Sequence, residues 1–324
     1  MGNPKLGERE IIRRLTSRFA SKPRLPLGFE DDVAVFPFSK RKWAVLKSDM
    51  LVGSTDVPPG MTLRQAARKA VVATVSDFAA KGVRPHGLLI SLGLTSPVES
   101  SEVNEIAKGL AQGAREYGCR IIGGDTAESE DFVIDCVGFG LIEPDKIIRR
   151  DGARPGDIVA VTGQFGKSAG GLRILLSKNK ALARRFPELV KSVLNPIARL
   201  NHGIKLAKTG SVNSSIDSSD GLAWSLHEIA RASGVSIHLE NIPVAREAEV
   251  FAKKQRLIAT DLALYGGEEY EIILTVDHDK FASVKRKVPS LIRIGQVKTG
   301  DAEVTASLEG RMMEIEARGW EHFK

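Results

Sequence analysis

The chain has 324 residues, 42% of them hydrophobic and 6% aromatic, and its 47 Lys and Arg against 40 Asp and Glu give a formal net charge of +7. That length supports a sizeable core and more than one domain. The basic residues are interspersed with acidic ones and aromatics are few, so the excess charge reads as a solvated surface suited to an anionic substrate, not as a nucleic-acid footprint. No stretch reaches the roughly 18 apolar residues of a membrane span. Residues 1–24 are rich in Arg and Lys but contain Glu8 and Glu10 and no long apolar run, which is not the pattern of a secretory signal. A cytoplasmic protein with no membrane partner is expected.

In chain order, Leu25-Pro26-Leu27-Gly28-Phe29-Glu30 leads through Asp31-Asp32 into the apolar Val33-Ala34-Val35, and 43–52 reads as a second strand carrying Ser48-Asp49. Each strand holds an Asp at one end. Paired acids are commonly surface turns, but a pair running straight into a strand also offers a carboxylate to a metal. Thr62-Leu63-Arg64-Gln65 matches a capping box and opens an alanine-rich helix that ends at Gly82, with Pro85 beyond. Asp77 sits near that end between Val75 and Phe78-Ala79-Ala80. A carboxylate there is costly to bury unpaired and opposes the helix dipole, so a cation-binding role is expected.

Residues 86–94 read as a strand, and 101–117 as a helix with Val103, Ile106, Leu110, Ala114 and Tyr117 on one face and Gly118 as its end. A short strand at 119–122 then runs into Gly123-Gly124-Asp125-Thr126. The two glycines allow close backbone approach to a ligand and Asp125 hangs at the strand end, although the same tetrad is also an ordinary turn. Residues 132–142 give one more strand. Cys119 and Cys136 lie in apolar surroundings and read as small buried hydrophobes without zinc spacing.

Glu143-Pro144-Asp145-Lys146 breaks the pattern, and the domain boundary is placed there, giving 1–145 and 146–324. Residues 158–161 are a buried strand, 162–168 a glycine turn and 169–176 a helix. The turn contains Gly-Lys-Ser, but only Gln164 and Phe165 separate its glycines where a P-loop needs four residues, which rejects a Walker A motif. Asp217 and Asp220 then stand where a helix begins. Ser218, Ser219 and Asp220 are all N-cap types, and Leu222, Leu226 and Ile229 recur at helical spacing until Gly234. Asp220 is either a cap worth about 1 kcal/mol or a ligand; the recurrence of Asp at strand and helix ends, at Asp32, Asp49, Asp77 and Asp125, favours the ligand. Beyond it lie a strand at 235–239, a helix at 246–256, and Gly266-Gly267-Glu268-Glu269-Tyr270-Glu271 before another strand. Those three acids either share a counter-charge or form a solvated turn. The chain closes on an aromatic tail containing Trp320 and Phe323, whose rings need somewhere to pack.

Asp31-Asp32-Val33-Ala34-Val35, Ser48-Asp49-Met50-Leu51-Val52, Val75-Ser76-Asp77-Phe78-Ala79-Ala80-Lys81-Gly82-Val83-Arg84-Pro85, Gly123-Gly124-Asp125-Thr126, Asp151-Gly152-Ala153-Arg154-Pro155-Gly156-Asp157, Asp217-Ser218-Ser219-Asp220-Gly221-Leu222 and Gly266-Gly267-Glu268-Glu269-Tyr270-Glu271 occur in this order along essentially the whole chain. The series resembles the successive motifs of the thiamine-monophosphate kinase family. The resemblance implies a two-domain α/β (α+β) fold similar to aminoimidazole ribonucleotide synthetase. Its first domain would pair strands across a homodimer into a barrel, and its second would pack helices on a sheet. It also implies that ATP and thiamine monophosphate give thiamine diphosphate and ADP with Mg²⁺ required.

Carried over by position, the resemblance makes Asp32, Asp49, Asp77, Asp125, Asp217 and Asp220 magnesium ligands with Ser48 beside them. Gly124, Asp125, Arg150 and Ser219 would bind ATP, with Arg150 and Asp125 closest to the transfer chemistry. Glu268 and Trp320 would hold the thiamine phosphate, near Asp56, where relatives often carry a His. Departures are Glu30 for a usual glycine, Thr74 for a frequent Asn, Glu269 for an Asp, and Lys47 where a small hydroxyl residue is common. Lys47 therefore belongs to the metal group as an ammonium replacing part of a cation's charge, or is a solvated lysine at a strand end. Joining two phosphates brings two polyanions together, which needs several cations, and magnesium takes oxygen ligands. The runner-up on the same fold is an aminoimidazole ribonucleotide synthetase-like ligase; from another class, a non-catalytic nucleotide-binding protein is distinguished by whether ATP turns over. Selenophosphate synthetase would call for an N-terminal reactive Cys and the hydrogenase-maturation relative for a C-terminal one, and this chain has neither.

Overall fold

The alanine-rich segment 63–80 forms a helix buried on nearly every side, and both halves of the chain are built against it. The computed structural model describes residues 6–19, 25–27, 31–308 and 310–323, so Glu30 lies outside it. Helices α1 (Glu8–Thr16), α2 (Gly53–Asp56), α3 (Leu63–Ala80) and α4 (Ser100–Tyr117) belong to the first half, with strands β1 (Ala34–Pro37), β2 (Trp43–Val52), β3 (Pro85–Leu94), β4 (Arg120–Glu128) and β5 (Val133–Ile142). The second half holds α5 (Lys167–Leu176), α6 (Lys180–Arg185), α7 (Pro187–Leu194), α8 (Leu200–Ala207), α9 (Leu222–Ser233), α10 (Arg246–Gln255), α11 (Ala259–Tyr265) and α12 (Phe281–Lys287). Its strands are β6 (Ile158–Val161), β7 (Val212–Asp217), β8 (Ser236–Leu239), β9 (Ile272–Val276), β10 (Ile292–Lys298), β11 (Val304–Leu308) and β12 (Arg311–Glu314).

Among the described residues the strands form two sheets, ordered β1-β2-β5-β3-β4 and β12-β11-β8-β10-β6-β9-β7. The first is antiparallel except for the β3–β4 pair. One of its faces is covered by α3 and α4, whose close approach depends on Gly109: a Cβ there would collide with the Arg64 carbonyl. The alternation of β2 turns Val45, Lys47, Asp49 and Leu51 toward the helices and leaves Ser48 and Met50 on the open face. The largest apolar cluster joins the two halves, with Ala66, Val71 and Val75 of α3 packed with Ile134 of β5, Leu206 of α8 and Ile272 and Leu274 of β9. A helix between two layers must be apolar all round, which is why its sequence is so rich in alanine and valine.

The capping box at the start of α3 forms as expected: Gln65 N–H donates to Thr62 Oγ1 at 3.2 Å and Thr62 N–H to Gln65 Oε1 at 3.0 Å. On α4, Ile106, Leu110, Ala114 and Tyr117 are buried, while Val103 is exposed. Two expectations are corrected. Gly123, Gly124 and Asp125 lie inside β4 and not at a strand end, because the parallel partner β3 continues alongside, pairing Ile90 with Gly124 and Ser91 with Asp125. The N-cap of α9 is Gly221 without a side-chain cap bond, so none of Ser218, Ser219 and Asp220 caps the helix, and Asp217 closes β7. Helices α1, α2, α6, α7, α8, α11 and α12 and strands β7, β10, β11 and β12 are not marked by the sequence pattern. No helix among the described residues is long and apolar enough to cross a membrane.

Candidate active site

Three carboxylates meet where the two sheets adjoin. Asp32 precedes β1, Asp77 lies in the last turn of α3 and Asp217 ends β7; all are buried, with ligating oxygens within 4.8 Å of one another. The packing of α3 against β7 and β2 brings them together. Ser76 Oγ donates to Asp217 Oδ2 at 2.6 Å and Ser225 Oγ to the Asp217 carbonyl at 3.0 Å.

Cations surround the trio. Lys47 Nζ lies 3.2 Å from Asp77 Oδ2 and 3.4 Å from Asp49 Oδ1. Lys81, fully buried just past α3, bridges Asp31 Oδ1 at 2.7 Å and Asp32 Oδ2 at 2.8 Å, and donates to the Ser215 carbonyl at 2.7 Å. Arg150 pairs with Asp32 and, at 3.0 Å, with Glu228.

These neighbours divide the acids. Burial opposes the charge of Asp32, but Lys81 and Arg150 outweigh it and hold the carboxyl at about 2. Burial pushes Asp77 well above the carboxylate range despite Lys47, with Asp49 and Asp217 adding repulsion. Burial and the Asp32 charge push Asp217 up to about 7, and burial with the nearby Glu8 pushes Asp220 up to about 6. For Lys47, burial works against the charge, but Asp49 and Asp77 raise it above the ordinary lysine value. Burial and mutual repulsion thus disfavour the charged forms of Asp77 and Asp217, while Lys81 and Arg150 favour that of Asp32.

The cluster opens on two cavities. A chamber of about 590 Å³ is lined by Asp32, Asp77, Arg150, Asp217, Ser219 and Asp220. A smaller one joins Asp49, Asp77 and Asp220 to Asp56, Glu268 and Trp320, and Trp320 lines both. Glu268 pairs with Lys69 Nζ at 2.5 Å. Asp56 Oδ2 accepts from its own chain at Val52 N–H, 2.7 Å, and Lys69 Nζ donates to the Asp56 carbonyl at 2.9 Å. The Gly-Gly acids do not share one counter-charge: Glu268 faces Lys69, Glu269 accepts from Ser168 N–H at 3.0 Å, and Glu271 takes Arg199 and Thr162 Oγ1. The tail rings stay open, with Trp320 48% and Phe323 69% exposed.

The structure therefore gathers Asp32, Lys47, Asp49, Asp56, Asp77, Arg150, Asp217, Ser219, Asp220, Glu268 and Trp320 around one cleft. It does not bring Ser48, Gly124 or Asp125 there. Ser48 faces the open side of the sheet and donates to Asp135 Oδ1 at 2.6 Å. The register row Asp49–Cys136–Ile90–Gly124 puts Gly124 three strands away, about 14 Å at ordinary strand spacing, on a strand exposed along its whole length. Sequence reasoning missed Lys81, Lys69 and Glu228. Lys81 carried a signal, a cation closing an otherwise apolar helix end; Lys69 and Glu228 carried none beyond their charge.

Fold and site together define an α/β protein with a buried cluster of carboxylates that could hold a metal ion, ringed by fixed cations. Residues 30–142 match the family described as AIR synthase related protein, N-terminal domain. A thiamine-monophosphate kinase of Nitrosopumilus maritimus is 36% identical over 324 residues, covering 99% of each chain, and one of Pyrococcus horikoshii is 36% identical over 322 residues, covering 99% of this chain and 97% of that one. A solved structure of AaThiL complexed with AMPPCP and TMP superposes with a TM-score of 0.85 at 30% identity, covering 100% of this chain and 99% of that one. The chain belongs to the thiamine-monophosphate kinase family.

Proposed function

We infer that the chain transfers the γ-phosphoryl group of ATP to the phosphate of thiamine monophosphate, giving thiamine diphosphate and ADP, the last step in forming that cofactor. The observation that carries this reading is the meeting of Asp32, Asp77 and Asp217 with Lys47 and Arg150 at a cleft that continues to Trp320. The AaThiL complex with AMPPCP and TMP supports the same pair of substrates.

The residues fit magnesium. The donor set is all oxygen, three of its acids lie within 4.8 Å of one another, and Asp49 Oδ2 is buried without a hydrogen bond from any described residue. Asp32, Asp49, Asp77, Asp217 and Asp220 would hold the ions, which supply the charge neutralisation that lets two polyanions approach. Arg150 adds a fixed guanidinium on the ATP side, with Ser219 beside it, and Glu268 and Trp320 orient the thiamine end near Asp56. The acceptor phosphate is already ionised near neutral pH, so no general base is needed. The γ-phosphoryl passes in line to it without a phosphoenzyme.

Residues 1–145 and 146–324 serve as two domains, the first pairing with a second copy to form a homodimer in the cytoplasm. The open face of its sheet, with Met50, Leu89 and Ile122 exposed, and the uncovered edge β4 support that pairing. Gly124 and Asp125 lie too far from their own cluster to serve it, so their nucleotide role and that of Ser48 depend on the second copy. The test is incubation with ATP, Mg²⁺ and thiamine monophosphate, with formylglycinamidine ribonucleotide as the control acceptor. Thiamine diphosphate and ADP are expected only with the first; turnover of the control alone makes the chain a ligase, and no ATP turnover makes it a binding protein.

A further inference from the structure

Helix α1 and the segment 320–322 are locked together beside the cleft. Glu8 Oε2 accepts from His322 N–H at 3.1 Å, and Arg9 Nη1 lies 3.5 Å from Glu321 Oε2, whose side chain is only 7% exposed. The Arg9 guanidinium also stacks on the Trp224 ring, 3.1 Å from its centroid. Gly7, the N-cap of α1, leaves room for Glu321: a Cβ there would meet Glu321 Oε1 at 2.6 Å. The tail carboxylate thus approaches the positive end of α1, where a negative charge is favoured.

Between these contacts and the cleft stands Trp320. Its backbone N–H donates to the Asp220 carbonyl at 2.9 Å, and its half-exposed ring lines both cavities with the His322 ring edge-on at 6.0 Å between centroids. Glu8 and Arg9 line the larger chamber but not the smaller one, where Glu268 and Asp56 lie. They therefore act on the thiamine end only through the tail.

We propose that α1 is a clasp whose Glu8 and Arg9 hold Glu321 and His322, and so seat the Trp320 ring against thiamine monophosphate; they are positioning residues that do not touch it. The inference rests on the kinase reading above. Its consequence is a split in the kinetic constants: loosening the clasp weakens capture of the thiamine substrate and leaves the handling of ATP alone.

Glu321→Gln, on a side chain that lines neither cavity, and Gly7→Ala, whose Cβ would crowd Glu321 Oε1, test it from the two sides. Each raises the KM for thiamine monophosphate about three- to tenfold, in line with a lost ion pair and ring stacking, with kcat and the ATP KM within twofold of wild type. In a Trp320→Ala background the same substitutions add nothing further, because the element they position is gone. Quenching of tryptophan fluorescence by thiamine monophosphate without ATP gives the same ordering as a binding readout that does not depend on turnover. A parallel rise in the ATP KM, or effects that add fully to Trp320→Ala, overturns the clasp. Failure of the kinase reading shows itself separately, as wild-type protein that makes no thiamine diphosphate. Should either variant fold poorly, its partner on the other side of the pair decides the matter, with circular dichroism confirming its fold.

Discussion

Lys47 and Asp77 form an ion pair, Nζ to Oδ2 at 3.2 Å, between a strand and the last turn of a helix, and the same ammonium reaches Asp49 at 3.4 Å. The ammonium thus points into the carboxylate cluster and not away into solvent. Lys47→Ser should shift activity to higher Mg²⁺ concentration and steepen its dependence, since another cation must bind before the phosphates can approach. A Mg²⁺ titration that overlays the wild-type curve removes Lys47 from the cation set.

Asp77→Asn keeps the shape of the side chain while deleting its charge. Turnover should fall by about three orders of magnitude. The melting temperature without metal should hold or rise, because burial and like charges already disfavour this carboxylate in the fold. Steady-state assay and thermal melts check the two parts together; activity near wild type takes Asp77 out of the site.

Trp320→Ala should raise the thiamine monophosphate KM about three- to thirtyfold, the range expected for a cationic thiazolium over an indole face, with a smaller change in the ATP KM. Equal effects on both substrates leave the ring a packing element only.

Lys81→Met should cost about 3–5 kcal/mol of stability, since Asp31 and Asp32 would keep buried charges that have lost their shared partner. Denaturant unfolding measures it, and a loss under about 1 kcal/mol means the pair behaves as a surface contact.

Glu269 gives a pH dependence. Burial pushes its carboxyl from the ordinary 4.5 up to about 7, against the Ser168 hydrogen bond. The folded form binds this proton more tightly than the unfolded chain, so the contribution to stability is full below about 4.5 and is lost as pH rises through about 7. Glu269→Gln should flatten that part of the stability profile and melt higher than wild type at pH 8; parallel profiles contradict the assignment.

Much of this was legible because local chemistry and tertiary use agree. The Thr62–Gln65 box, the glycine stops at Gly118 and Gly234 and the apolar faces of α4 and α9 depend on residues close in sequence. The acids stand out because Asp recurs at the ends of apolar segments, and the structure brings Asp32, Asp77 and Asp217 together while leaving Asp125 apart. Asp125 was misread locally, since whether Gly123-Gly124 turns or extends is decided by β3, a strand some 30 residues earlier. Lys81 and the partners of Glu268, Glu269 and Glu271 come from elements far apart in sequence, and no spacing rule encodes them. The amphipathic α1 has no local signal of its partners, because its contacts are with Glu321 and His322, the latter 314 residues beyond Glu8.

The most direct test of the central claim is a rapid-quench single turnover with γ-labelled ATP, thiamine monophosphate and Mg²⁺, run on wild type and Asp77→Asn. The label should move from ATP to thiamine diphosphate in step with ADP formation, with none on the protein, and stay in ATP for the variant. Label trapped on the protein before product appears, label released as free phosphate, or normal transfer by Asp77→Asn would contradict direct transfer at this cluster.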